Sequence, residues 1–128
     1  MAKGETAAQR FLRLNNFKGT FHEIEVPKDR KTSALEMAEA SGLDPARLFK
    51  TLIVELDDGR FAVAVVSASR DLDRRALAHE VGAKRVDLAP KDKAIKSSGY
   101  QIGACSPLGQ KKRLPTYVDV SAENFETI

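Results

Sequence analysis

A single cysteine, Cys105, excludes an internal disulfide, and the two histidines, His22 and His79, lie too far from it and from each other to show metal-ligand spacing. No apolar run approaches the length that spans a membrane. The opening "MAKGETAAQRFLRLNN" lacks the apolar centre of a secretory signal, which predicts a cytoplasmic protein. No glycine-rich phosphate fingerprint follows a strand pattern, so neither a nucleotide cofactor nor a metal is expected. Repeats, low-complexity tracts and Pro/Gly/Ser-rich linkers are also missing, and the 128 residues fit one domain. Charge imbalance is slight: 21 Lys and Arg against 18 Asp and Glu leave +3, which permits a polyanionic partner without demanding one. With 42% hydrophobic and 30% charged residues, the composition is that of a globular chain rather than a disordered one.

What is present is a succession of short helix and strand patterns. Residues 5–15 place Ala8, Phe11 and Leu12 near one helical face, with Gly19 beyond the end. "GTFHEIEV" alternates like a half-buried strand closed by Pro27. In "SALEMAEASG", Ser33 and Glu36 have capping-box spacing and Gly42 suits a left-handed stop. "FKTLIVELDDGRFAVAVVSA" is the strongest local signal: two runs rich in β-branched and aromatic residues flank Asp57-Asp58-Gly59, predicting a β-hairpin. Residues 71–81 predict a helix capped by Asp71 and ended by Gly82. "AKRVDLA" and "TYVDV" are strand candidates, and "PKDKAIKSS" opens with a proline suited to a first helical position. Strands and helices mix without a strict βαβ beat, so the fold class is α+β or mixed α/β.

Three features carry possible chemistry. On "FKTLIVEL", side chains alternate, so Lys50 shares a face with Leu52, Val54 and Leu56. An ammonium there is costly unless it meets an anion, a polar ligand or water, so Lys50 either points into a pocket or snorkels to solvent. The second feature is "GACSPLGQKKRLP", residues 103–115, too punctuated for a helix or a central strand. Gly103 allows close backbone approach and Pro107 stiffens the loop. The amides of Ala104, Cys105 and Ser106 between them either form an ordinary turn or converge on an oxyanion. The third is the run Lys111, Lys112, Arg113, read as a solvated surface or as phosphate contacts. Nothing places His22 or His79 beside Cys105, so a packed cysteine is favoured over a thiol nucleophile.

Three segments, "GLDPARLFKTLIVE", "LAHEVGAKRVDLA" and "SSGYQIGACSPLGQKKRLPTYVD", resemble the YbaK/EbsC family of aminoacyl-tRNA deacylases, and the likeness covers nearly the whole chain. The last segment is similar to the family's Cys-tRNA(Pro) deacylase branch. The resemblance implies one compact domain over residues 1–128, with a bent, largely antiparallel sheet flanked by helices, the same unit as the editing domain of prolyl-tRNA synthetases. It implies hydrolysis of the ester joining a wrong amino acid to the tRNA 3′ end. The family's lysine falls on Lys50 and its G-x-x-x-P loop on Gly103 to Pro107. In that frame Lys50 contacts the substrate, with Thr51 and Leu52 beside it. The amides of Ala104, Cys105 and Ser106 face the ester carbonyl. In the Cys-specific branch the substrate's own thiol attacks its ester, which makes Cys105 unnecessary as a nucleophile. Lys111, Lys112 and Arg113 become acceptor-stem contacts. The partners implied are an aminoacyl-tRNA, tRNA(Pro) in particular, and prolyl-tRNA synthetase.

Two departures from the family pattern bear on specificity. Pocket positions that are aromatic in the Cys-specific branch are Ile24 and Ser33 here, which keeps Ala, Ser or Thr open as the amino acid removed. Family members also continue past a segment like "ENFETI" into a strand, a loop and a helix, whereas this sequence stops at Ile128. That leaves open a non-catalytic module binding tRNA or a synthetase.

Overall fold

The computed structural model describes residues 5–21, 34–101 and 105–128. It contains four helices, α1 (Ala7–Leu14), α2 (Ala34–Ser41), α3 (Arg74–Val81) and α4 (Lys91–Ser98), and four strands, β1 (Phe49–Leu56), β2 (Phe61–Ser67), β3 (Val86–Leu88) and β4 (Thr116–Val118). One sheet holds them in the order β3-β1-β2-β4. β1 pairs antiparallel with both β2 and β3, whereas β4 joins β2 in parallel. This is the α+β class expected, mostly antiparallel. The strand expected at "GTFHEIEV" and the cap expected at Ser33 lie outside the described residues.

The hairpin forms where the β-branched runs meet the acidic turn. Phe49 stands opposite Ser67 at one end and Glu55 opposite Phe61 at the other. Asp57-Asp58-Gly59 makes a three-residue loop whose last member takes φ +89, the left-handed geometry that favours glycine. Asp58 accepts the Arg60 N–H at 3.0 Å. Asp57 accepts the N–H groups of Lys84 and Arg85 at 3.0 and 3.3 Å, tying the turn to the start of β3.

β2 is central in the sheet and buried from Ala62 to Ser67, so both faces of the sheet carry core. On one face Val54, Leu56, Ala64 and Val66 pack with Leu77 and Ala78 of α3. On the other, Ile53, Val63 and Val65 pack with Ala94 of α4, and Cys105 and Leu114 lie against them. Each such fully buried valine contributes about 1.5–3 kcal/mol relative to exposure.

The helix boundaries refine two expectations. α3 begins at Arg74, and its cap is Asp73, which accepts the Ala76 N–H at 3.0 Å, rather than Asp71. Asp71 stands two positions before the cap, with Leu72 between them, and the first-turn N–H of Ala76 bonds Asp73 instead. Pro90 is the residue before α4 rather than its first helical residue, with ψ 144 and no side chain able to cap. Gly42 and Gly82 take positive φ as expected of helix stops. No helix among the described residues is long and apolar enough to cross a membrane.

Candidate active site

β3 is only three residues long and pairs with β1 at Val54, Glu55 and Leu56 alone. Beyond that point Ala89 donates to the Ile53 carbonyl at 2.9 Å, and there the pairing ends. The outer edge of Phe49 to Leu52 is therefore uncovered by β3, and a cavity of about 670 Å³ opens along it. That volume falls in the range typical of small-molecule sites. Five consecutive β1 residues, Phe49 to Ile53, form one wall. Ala94 and Ser98 from α4 and Cys105 and Ser106 from the following loop form another. The cavity thus sits at an edge of the sheet, which is why residues of both β1 faces reach it.

Lys50 lines this cavity and is half-buried. No described residue supplies an anion or a hydrogen-bond acceptor to its ammonium. Thr51 and Leu52 line the same wall. A lysine held in a largely apolar recess, with no counter-charge among the described residues, offers its charge to a ligand.

The loop opposite is braced by side chains. Gln110 donates from Nε2 to the Ser106 carbonyl at 2.9 Å and to Cys105 Sγ at 3.6 Å. Ser106 Oγ accepts the Leu108 N–H at 3.1 Å, and the Tyr100 hydroxyl donates to the Leu108 carbonyl at 2.6 Å. The backbone N–H groups of Lys111 and Lys112 bond the carbonyls of Ser98 and Ser97, the last two residues of α4. These bonds answer carbonyls that a helix end leaves free. The loop is shaped and anchored, with Ser106 held from three sides. Gly103 and Ala104, and with them two of the amides expected to face a carbonyl, lie outside the described residues, as do Ile24 and Ser33.

Cys105 is half-buried against the second core. Burial pushes its thiol pKa up, and hydrogen bonds with Ser98 and Gln110 offset part of that. The group is held as a neutral thiol, the opposite of what a thiolate nucleophile requires. His79 is exposed on α3, outside the residues lining the cavity.

Lys111, Lys112 and Arg113 are exposed and do not line the cavity. They follow directly in sequence from the braced loop. Pro107 is exposed and also outside the lining. Its part is to stiffen the chain between Ser106 and Leu108.

Comparison with known proteins now decides the family. Residues 28–128 match the aminoacyl-tRNA editing domain. The chain belongs to that family. It is 35% identical over 96 residues to the "Putative Cys-tRNA(Pro)/Cys-tRNA(Cys) deacylase EbsC" of Enterococcus faecalis, a match spanning 75% of this chain and 58% of that protein. It is 30% identical over 97 residues to the proline–tRNA ligase of Trichlorobacter lovleyi, covering 76% of this chain and 17% of the ligase. A solved structure described as "a putative trans-editing enzyme for prolyl tRNA synthetase" superimposes with a TM-score of 0.77 at 24% identity, covering 93% of this chain and 73% of that one, and so shares the fold. The editing domain described here thus spans somewhat over half the length of EbsC.

Sequence reasoning anticipated Lys50, Thr51, Leu52, Cys105 and Ser106, and the fold brings all five to one cavity. It missed Tyr100 and Gln110, which brace the loop, and Thr6, Ala8 and Met37, which line the cavity from α1 and α2. Tyr100 and Gln110 flank the punctuated loop, and two hydrogen-bonding residues so placed were a usable signal. The α1 and α2 contributions depend on tertiary packing that no local pattern shows.

Proposed function

We propose that this editing domain is a trans-editing deacylase that hydrolyses the ester of a misacylated tRNA, with cysteinyl-tRNA(Pro) as its substrate. The observation that carries the reading is the placement of Lys50 across one cavity from the braced Cys105–Gln110 loop, in a chain of the aminoacyl-tRNA editing family. The substrate choice is supported by the likeness to a protein named for Cys-tRNA(Pro) and Cys-tRNA(Cys).

An aminoacyl ester is already activated, so the protein has chiefly to position it and stabilise the developing oxyanion. Lys50 holds the substrate end by charge. The amides of Cys105 and Ser106 supply hydrogen bonds to the carbonyl oxygen. The substrate's cysteine sulfur adds to its own ester carbonyl, the bond from carbonyl carbon to ribose oxygen breaks, and the thiol proton ends on that oxygen. Water then opens the cyclic thioester to free cysteine. Cys105 takes no part, in keeping with a thiol that burial holds neutral. Lys111, Lys112 and Arg113 bind acceptor-stem phosphates, which supply affinity independent of sequence. Cells need such a step because proline, alanine and cysteine are too close in size for a synthetase pocket to separate by binding alone. The reaction belongs in the cytoplasm, where the charged tRNA is, and prolyl-tRNA synthetase is the partner that supplies it.

The test is deacylation of tRNA(Pro) carrying Cys, Ala, Ser or Pro. Selective loss of the Cys ester is expected. Selective loss of another ester would keep the reaction and change the substrate. Salt-sensitive tRNA binding without hydrolysis of any ester would replace the enzyme with a binding module.

A further inference from the structure

The family match begins at residue 28, so α1 lies outside it. Yet Thr6 and Ala8, at the start of α1, line the cavity together with Ser106 and Tyr100. The helix is well formed: Thr6 and Gln9 make a reciprocal capping box, and Glu5 takes both Nε and a terminal nitrogen of Arg13 at 2.9 Å. It contributes no fully buried residue, so few contacts fix its position.

One of those contacts is at Gly109. Its φ of +66 is unfavourable for any residue with a Cβ, and a Cβ placed there would stand 2.5 Å from the Ala7 carbonyl oxygen and 3.2 Å from Phe11 Cβ. Only glycine lets the helix backbone lie this near the loop. Ala7 and Phe11 are four residues apart and share a helix face, so the face turned to the loop is defined. Tyr100 marks the second attachment. Burial raises the pKa of its phenol, while the Ser106 side chain and the Ala8 backbone beside it act in the opposite direction. Its hydroxyl donates to Leu108, the neighbour of Gly109. Helix, loop and cavity wall meet at that hydroxyl.

We propose that α1 is a substrate-contacting wall of the active site, seated on the loop by Gly109 and Tyr100, with its first turn bounding the space for the aminoacyl group beside Ser106. Gly109 and Tyr100 are then positioning residues, and Ala8 sets the size of the group admitted. This rests on the deacylase reading of the cavity.

The test uses the full chain and single-turnover deacylation of cysteinyl-tRNA(Pro), with thermal unfolding followed in parallel. With enzyme counted as folded protein from the parallel unfolding curves, Gly109→Ala and Ala8→Leu are expected to raise the half-saturating enzyme concentration at least about fivefold, with less change in the limiting rate. Leu14→Ala, on the exposed side of α1, is expected to match the wild type. Tyr100→Phe, which keeps the ring and removes only the hydroxyl, is expected to shift half-saturation in the same direction. If Gly109→Ala and Ala8→Leu saturate as the wild type does, or lose activity only in proportion to unfolded protein, the wall is overturned. Should the wild type hydrolyse no ester, the deacylase reading fails. The wall is then decided by affinity for the amide analogue of 3′-cysteinyl adenosine, which cannot be hydrolysed. Weaker binding by both variants supports it, and equal binding or none by the wild type overturns it.

Discussion

At the residue scale the account turns on one charge and one thiol. Lys50 stands in the cavity and no described residue bonds its ammonium, so its removal leaves no orphaned anion among the described residues. Lys50→Ala is expected to keep the thermal midpoint within a few degrees while single-turnover deacylation falls by two or more orders of magnitude, as for loss of a group that positions the ester for attack. Cys105 gives the contrasting result. Because burial raises its pKa, the thiolate fraction at neutral pH is below that of free cysteine, and alkylation by iodoacetamide at pH 7.5 is expected to be slower than that of free cysteine. Cys105→Ala is expected to retain turnover. The two residues were unequally legible. Period-two alternation put Lys50 on an apolar face but by itself favoured a side chain reaching solvent over one in a pocket, since the choice depended on where β3 stopped. Cys105 was readable as a packed residue because a lone intracellular cysteine is usually one.

At the scale of elements, local chemistry and tertiary packing divide the work. The hairpin was legible because its signal is local, in β-branched runs and an Asp-Asp-Gly turn. The cap of α3 was displaced by two residues, and the structure makes Asp73 the residue to test. Asp73→Ala is expected to cost about 1 kcal/mol, read from denaturant unfolding, while Asp71→Ala costs little. α4 carries the opposite case. Ser97 is 4% exposed and its hydroxyl has no hydrogen-bond partner among the described residues. Ser97→Ala removes an unsatisfied group and improves helix propensity, so a gain of about 1 kcal/mol is expected, seen as a rise in Tm of about 3–6 °C. The parallel pairing of β4 with β2 was not legible, because strand direction follows from the path of the whole 99–115 loop rather than from the residues of the strand.

For the whole molecule, the governing fact is that the cavity is assembled from distant parts of the chain: α1, β1, α4 and the loop after it. Composition and spacing could identify the pieces of this site, and family resemblance could assign them roles, but only the fold shows that a short β3 opens the sheet edge beside them. The exposed Lys111-Lys112-Arg113 run is the proposed site of acceptor-stem phosphate contacts. Replacing all three by alanine is expected to weaken tRNA binding in a sequence-independent way and to flatten the log–log salt dependence by about 2 to 3. The limiting rate on bound substrate is expected to change little. The measurement that tests the central claim most directly is single-turnover hydrolysis of Cys-, Ala-, Ser- and Pro-tRNA(Pro) by the wild type beside Lys50→Ala. The account requires fast, selective loss of the Cys ester by the wild type and a variant that binds tRNA but leaves the ester intact. Equal rates for the two proteins would contradict it.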